Sequence, residues 1–368
     1  MHLSRIPSGV RYYVGEAARR RRAVEDYAIS VFAGWSYEEI STPTIDYYSL
    51  FEQGMGAEAQ TSFRFVDVDA RLLALRPDVT SSVARACATL LAEKPRPLRL
   101  CYASNVFHQQ PRTQAEWRRE TTQLGCELIG ASGIAADVEP LLIVVETLKK
   151  LGLEGKHRIT INNVAIFDGI AEGLGLNSES RERLRALIDA RDTAALTELL
   201  TELGVDDDER DLFVQITRRS GKGRIIDEAG KVITNSRSRE ALEALAETWN
   251  VIEALGLADS FEIDLGDVPD LDYYTGLLFN IYVAGSGMRV GRGGRYDRLT
   301  SKFGKAEPAN GFVLDLDEVT NVVAPRQLAL KESTCSPVAV AGSGIPAFQQ
   351  ALRRRARDEK IALSYRPC

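Results

Sequence analysis

The chain has 368 residues, of which 44% are hydrophobic and 27% charged, and its formal net charge is −6. No apolar run approaches the roughly 20 residues of a membrane span, and the start carries no secretory signal pattern, so we expect a cytoplasmic globular protein. The acidic balance makes nucleic-acid binding an unlikely main task, because phosphate contacts need a local surplus of Lys and Arg. Five scattered cysteines without a C-x-x-C pair predict neither a disulfide framework nor a zinc site.

The first half of the chain begins with a predicted helix and continues as predicted strands. Apolar residues at helical spacing predict a helix over 15–32, with Gly34 as its cap and the run ARRRRA (18–23) as a solvated face. The stretch SYEEIST before Pro43 predicts a strand, and SFRFVDVDARLLAL (62–75) predicts a hairpin that turns at DVDA. Two more strands are predicted at 98–107 and 121–130, joined by a long polar loop of the kind that often carries function.

The second half predicts a helical insertion at about 165–250, followed by strands at 261–265, 277–284 and 288–294. After about residue 336, a strand, a helix and a strand form one βαβ-like unit. The sequence therefore predicts an α+β fold, an antiparallel sheet with helices packed on one face. We expect one domain over 1–320, with a linker and a truncated C-terminal α/β unit over 321–368.

General catalytic constellations are absent from the sequence. Its three histidines, His2, His108 and His157, are far apart, and neither an H-E-x-x-H motif nor a nucleophile elbow occurs. We therefore expect no metal, no cofactor and no catalytic triad.

A series of blocks bears on function, in the order GWSYEEISTPTIDYYSLFEQGMG (34–56), LRPDVTSSVARA (75–86), NVFHQQPRTQAEWRRETTQLGCELIG (105–130), LDYYTG (271–276), GRGGRYDRL (291–299) and GFVLDLDEV (311–319). Together they resemble the catalytic domain of histidyl-tRNA synthetases, which has the class II aminoacyl-tRNA synthetase fold. The first block resembles the class II motif that forms dimers, which implies a homodimeric core. The ordered blocks span roughly residues 5–320 and make the resemblance specific.

The resemblance implies a histidine-binding pocket. A carboxylate, a hydroxyl and an amide would hold the amino group, Glu127 would accept from an imidazole N–H, and two tyrosines would supply an aromatic wall and a hydroxyl. Without the ordered blocks, either tyrosine would be interpreted as core and Glu127 as a strand-edge charge. The implied histidine-binding residues are Asp78, which replaces the usual glutamate, Thr80, Gln123, Glu127, Tyr273 and Tyr274.

The chain departs from the synthetases where three arginines meet the ATP phosphates or the forming adenylate. The matching positions are His108, Pro269 and Glu318. Preorganised cations stabilise charge that develops on phosphate oxygens, and losing one such donor costs about 2.7–4 kcal/mol. The resemblance therefore implies a chain that forms no adenylate. Because Pro269 replaces the expected partner of the histidine carboxylate, we expect histidine to bind in the micromolar range or more weakly.

The end of the chain agrees with a loss of synthetase function, since only 49 residues, 320–368, follow Val319 where synthetases carry a complete anticodon-binding domain. The combination resembles the synthetase paralogues that are regulatory subunits of ATP phosphoribosyltransferase. That resemblance implies a short-form catalytic subunit as partner in a hetero-oligomer, L-histidine as ligand, and the first step of histidine biosynthesis. Two alternatives are an active synthetase, against which Pro269 and Glu318 argue, and an RNA-binding paralogue, against which the acidic balance and short tail argue.

Overall fold

The computed structural model describes residues 6–109, 118–269, 273–328, 338–341, 345–357, 359 and 361–364. The chain divides into two compact units, Met1–Leu328 and Ala329–Cys368. Most of the polar loop after residue 109, and the first two residues of LDYYTG, lie outside the described residues.

The first unit contains helices and strands that alternate in short runs along the chain. Its helices are α1 (Glu16–Gly34), α2 (Tyr48–Met55), α3 (Thr80–Ala88), α4 (Ile134–Lys150), α5 (Val164–Gly173), α6 (Ser178–Asp189), α7 (Thr193–Glu202), α8 (Asp207–Thr217), α9 (Arg224–Gly230), α10 (Ser236–Ala254) and α11 (Leu316–Val322). Its strands are β1 (Glu38–Glu39), β2 (Ile45–Tyr47), β3 (Arg64–Val66), β4 (Leu72–Leu75), β5 (Leu98–Phe107), β6 (Glu120–Ile129), β7 (His157–Asn163), β8 (Ser220–Gly221), β9 (Phe261–Asp264), β10 (Leu277–Val283), β11 (Gly291–Arg295) and β12 (Ala309–Asp315).

A large sheet organises the first unit. Within the described residues its strand order is β1-β5-β6-β12-β11-β10-β7-β9-β8. The pairs β1–β5 and β7–β9 are parallel, and every other pair in this sheet is antiparallel. The predicted antiparallel sheet is therefore confirmed. The predicted hairpin is confirmed as well, because β3 and β4 pair antiparallel and join β2 in a small second sheet.

Helices flank the large sheet on both faces, not on one as predicted. On one face α1 packs against β5 and β6, and its Phe32 meets the ring of Phe312 on β12 with centroids 5.7 Å apart. On the opposite face, Tyr102 of β5 belongs to the same buried cluster as Phe51 of α2 and Val83 of α3. Helices α2 and α3 therefore cover part of the sheet face that carries Tyr102.

Helix α1 continues further than its sequence pattern predicted. It runs through Gly34, and the chain takes a positive φ of 65° at Ser36, two residues after the helix ends. The arginine run is also more buried than a solvated face would be. Arg20 donates to the carbonyl oxygen of Val323 at 3.0 Å, and Arg21 Nε donates to Asp317 Oδ1 at 2.9 Å. These side chains join α1 to the first turn of α11 and to the residue that follows its end.

The region between β7 and β9 consists mainly of helices α5–α10, as the sequence predicted. It has a buried cluster of its own, which includes Leu184, Leu200 and Phe213 and also Val268 from the segment after β9. Arg191, between α6 and α7, donates to Asp264 Oδ2 at 2.7 Å. The insertion is thus tied to the segment that precedes the site tyrosines.

The second unit consists of β13 (Val338–Ala341), α12 (Ile345–Arg355) and β14 (Ile361–Ser364) in its described part. The two strands pair in parallel, so the predicted βαβ-like unit is confirmed. Val340, Ala347 and Ala351 form its buried cluster, with Ile361 packed against them. Among all the helices described in the chain, none is both long and apolar enough to cross a membrane.

Candidate ligand pocket

The six residues predicted to bind histidine lie together around one small cavity. They come from three places in the chain: the β4–α3 connection, strand β6 and the segment before β10. The cavity is lined by Asp78, Thr80, Gln123, Glu127, Tyr273, Tyr274, Arg292, Tyr296, Gly311, Phe312 and Val313. The fold thus brings together Asp78 and Tyr274, which are almost 200 residues apart in the sequence.

One end of the pocket carries groups suited to an ammonium. Asp78 is 6% exposed, and its Oδ1 accepts a hydrogen bond from the backbone N–H of Ser81 at 3.1 Å, in the first turn of α3. Gln123 Oε1 is buried and has no hydrogen-bond partner among the described residues. A buried carbonyl oxygen without a donor is costly, so this end favours a ligand that brings N–H groups.

Glu127, another residue of the pocket lining, is 1% exposed. Tyr102 donates to its Oε1 at 3.0 Å, and Tyr296 donates to its Oε2. Burial raises the pKa of Glu127 to about 7, although hydrogen bonds from Tyr296, Thr80 and Tyr102 act in the opposite direction. A carboxylate with this many donors is held in one orientation and still has lone pairs for an imidazole N–H.

Tyr273 and Tyr274 form the aromatic wall that the resemblance implied. Their ring centroids lie 4.9 Å apart, and the ring of Tyr273 also meets that of Tyr296 edge-on at 5.6 Å. Tyr273 is 5% exposed, so it is both core and pocket wall. The two interpretations of this residue are therefore compatible.

The floor of the pocket is open because glycines occupy it. Glu127 on β6 lies opposite Gly311 on β12, which lies opposite Gly294 on β11. A Cβ at Gly311 would collide with Oε2 of Glu127 and with the hydroxyl of Tyr296. Glycine at this position leaves room for the Glu127 carboxylate and the Tyr296 hydroxyl.

A second cavity, an open cleft, adjoins the pocket and shares Gln123, Arg292 and Val313 with it. His108 lines this cleft, together with Arg118, Arg289 and Asp315. The three lost arginines alone implied a cleft without positive charge. The cleft nevertheless keeps arginines in its lining. Sequence reasoning missed Arg118 because the synthetase blocks drew attention only to positions that had changed.

Acidic side chains engage Arg118. Glu318 accepts from Arg118 Nη2 and also from the Ser286 hydroxyl at 3.0 Å, and Asp315 Oδ1 lies 3.6 Å from Arg118 Nη1. The side chains of Arg118 and Glu318 are 17% and 8% exposed. Burial opposes the charge of Arg118, but Asp315 and Glu318 raise its pKa overall. Glu318 thus neutralises the charge of one arginine in the cleft lining.

Pro269 lies in the segment after β9, is half-buried and is not among the residues that line the two cavities. The sequence analysis also missed two partners of Glu127, namely Tyr102 and Tyr296. Tyr296 lies inside the block GRGGRYDRL and could have been found there. Tyr102 could be found only from strand register, because it lies opposite Gly125, two residues from Glu127.

Comparison with known proteins places this chain in a family. The family model described as histidyl-tRNA synthetase matches residues 9–319. A protein of Moorella thermoacetica named ATP phosphoribosyltransferase regulatory subunit is 35% identical over 96% of this chain and 89% of its own length. The chain belongs to the family of ATP phosphoribosyltransferase regulatory subunits. A regulatory subunit of Syntrophotalea carbinolica is 34% identical over 97% of this chain and 83% of its own length.

Solved structures support membership of the regulatory-subunit family. A Bacillus halodurans protein titled ATP phosphoribosyltransferase regulatory subunit/histidyl-tRNA synthetase superposes with a TM-score of 0.85 and 27% identity, covering 99% of this chain and 93% of that one. A histidyl-tRNA synthetase from a Nostoc species shares the fold, with a TM-score of 0.76 and 18% identity over 99% of this chain and 86% of that one. The class II synthetase fold predicted from the sequence is confirmed.

Proposed function

We propose that this chain is a non-catalytic regulatory and activating subunit of ATP phosphoribosyltransferase, acting in the cytoplasm with a separate short-form catalytic subunit. In this role it serves the first step of histidine biosynthesis and makes that step sensitive to histidine. The observation that carries the proposal is the pairing of Glu318 with Arg118 beside an intact amino-acid pocket. A buried carboxylate where a synthetase needs a cation neutralises Arg118, which leaves less positive charge for ATP phosphates. The six residues that the resemblance assigns to histidine still line one cavity.

Histidine would occupy the pocket with its ammonium at Asp78 and Gln123 and its ring at Glu127. Binding alone carries no signal, because a ligand shifts an equilibrium only by its differential affinity for two states. The assembled complex must therefore bind histidine more tightly in its less active conformation. This requirement makes the proposal one about the complex and not about the isolated chain.

Co-purification with a short-form catalytic subunit tests the assembly. We expect a stable complex whose transferase rate exceeds that of the catalytic subunit alone and falls when histidine is added. If the two proteins do not associate at micromolar concentration, or associate without any change in transferase rate, the proposed function is wrong.

The first prediction concerns aminoacylation chemistry. With ATP, L-histidine and labelled pyrophosphate, the chain should show no histidine-dependent exchange of label into ATP, because His108, Pro269 and Glu318 replace the phosphate-binding cations. The measurement compares the chain with a no-enzyme blank. Exchange above the blank that disappears in Gln123→Ala would identify an active synthetase instead.

An exposed apolar face supports a homodimeric core. Ile45, Tyr47, Phe65, Leu73 and Leu75 project from the same side of the small β2-β4-β3 sheet, since they occupy paired or alternate positions. Ile45, Tyr47 and Phe65 are 48%, 42% and 39% exposed. An apolar sheet face of this kind favours a protein partner, and the first two residues lie in the dimer-forming block 34–56.

The second prediction follows from this face. Ile45→Lys should raise the dimer dissociation constant by about 100-fold, because it would bury a charge without a partner. Analytical ultracentrifugation across the micromolar range measures it. Leu255→Lys is the matched control, since Leu255 is 51% exposed in the turn after α10. A wild-type chain that sediments as a monomer, or an Ile45→Lys chain as dimeric as wild type, would contradict the proposed interface.

A further inference from the structure

Arg292 lies at the boundary between the pocket and the cleft, and it lines both cavities. A free amino acid has three recognition points: ammonium, side chain and carboxylate. The pocket supplies Asp78 and Gln123 for the first and Glu127 for the second. Pro269, at the position where the resemblance expects a cation for the third, has no charge to offer.

Strand register places Arg292 beside the groups that would hold the rest of the ligand. Three successive rows cross the floor of the site from β6 to β12. Glu127 lies opposite Gly311, Gly125 opposite Val313, and Gln123 opposite Asp315. Arg292, on β11, lies opposite Val313 and so extends the middle row, between the ring end and the ammonium end. The phenol of Tyr102 lies over Gly125 in that row, where a Cβ would collide with it.

The environment of Arg292 suits a partly desolvated ion pair with a ligand. Its side chain is half-buried, whereas fully exposed ion pairs contribute little. Burial raises the pKa of the Tyr273 hydroxyl, and the charge of Arg292 acts against that rise, which locates the guanidinium near the pocket wall. Of the neighbouring arginines, Arg118 and Arg289 line only the cleft, whereas Arg292 lines the pocket as well.

We propose that Arg292 binds the α-carboxylate of histidine and takes the place of the cation missing at Pro269. The proposal rests on the proposed histidine-binding function of the pocket and adds the determinant of carboxylate specificity. A guanidinium presents a planar fork of donors that matches a carboxylate with two parallel hydrogen bonds. The ligand would then lie with its ring toward Glu127 and its carboxylate toward the cleft. Arg292 also offsets the loss of affinity expected from Pro269.

Histamine provides the discriminating probe, since it keeps the ammonium and the imidazole of histidine but lacks the carboxylate. Calorimetric titration of the full chain with each ligand should show that wild type prefers L-histidine over histamine by about 100-fold, the range of a charge-assisted hydrogen-bonded pair. Arg292→Gln should lose about 100-fold in histidine affinity and bind histamine within about threefold of wild type. Arg292→Lys should fall between them, because it keeps the charge but not the fork.

Arg158→Gln is the charge-matched control, since Arg158 is the exposed residue of β7, pairs with Glu262 and lines neither cavity. It should leave both affinities unchanged. Histamine binding to Arg292→Gln also reports that the pocket is folded, and an Arg292→Gln chain that binds neither ligand is replaced by Arg292→Lys for the comparison. An undiminished preference for histidine in Arg292→Gln or Arg292→Lys would overturn the assignment of Arg292 alone. If wild type binds no histidine, the proposed function of the pocket is overturned together with it.

Discussion

Glu127→Gln is expected to weaken histidine binding by about 100-fold at pH 8, because it replaces a charge-assisted hydrogen bond to the imidazole with a neutral one in a buried site. Glutamine has nearly the same shape, and its amide can still bond the Tyr102 and Tyr296 hydroxyls, so the fold should be retained. Calorimetric titration of the isolated chain with L-histidine measures the effect.

Glu139→Gln is the matched control for that titration. Glu139 also accepts from a tyrosine, Tyr37, at 2.9 Å, and it pairs with Arg99, which places it away from the pocket lining. Its substitution should leave histidine affinity unchanged. Equal affinities for wild type and Glu127→Gln would mean that the ring of the ligand does not contact Glu127.

The second large effect is on stability, and it depends on pH. Burial raises the pKa of Glu127 to about 7, from an ordinary value of 4.5. Between these values the folded chain binds more protons at this group than the unfolded chain does, so the stability that Glu127 contributes falls as pH rises. Relative to Glu127→Gln, which has no such proton, wild type should lose about 2 to 3 kcal/mol of unfolding free energy between pH 5 and pH 8.

Urea unfolding of both chains at the two pH values measures this difference. The comparison between the variants removes the contribution of every other titrating group, because those groups are common to both chains. A difference in unfolding free energy between wild type and Glu127→Gln that is the same at pH 5 and pH 8 would mean that Glu127 titrates like an exposed carboxyl.

The sequence predicted the elements of the fold best where local chemistry determines them. The turn DVDA between two half-buried strands predicted the β3–β4 hairpin, and the stretches LRLCYASNVF and TTQLGCELIG predicted β5 and β6. The sequence predicted the length of an element less well where tertiary contacts determine it. The stretch SYEEIST forms only the two-residue edge strand β1, because its pairing is limited to one neighbour, β5. Helix α1 extends through Gly34 because its end is fixed by the turn at Ser36.

The candidate pocket was predictable from ordered blocks, but its electrostatics were not. The six predicted residues line one cavity, which follows from their places in a recognised arrangement of strands. Arg292 and Tyr296 lie inside the block GRGGRYDRL, but only the structure shows that they line the pocket. Tyr102 emerges from strand register alone, because its sequence neighbours do not indicate which face it occupies. The pairing of Arg118 with Glu318 joins positions 200 residues apart. No local pattern predicts such a pair.

The central claim is that this chain makes ATP phosphoribosyltransferase sensitive to histidine through the Glu127 pocket. The most direct test is the transferase rate against histidine concentration, at pH 8, for complexes of a short-form catalytic subunit with wild type, Glu127→Gln or Glu139→Gln. We expect the three complexes to assemble and to be equally active without histidine. The inhibition curve of Glu127→Gln should shift to about 100-fold higher histidine, and that of Glu139→Gln should not move. Superimposable curves for wild type and Glu127→Gln would contradict the account and place the sensing site outside this pocket.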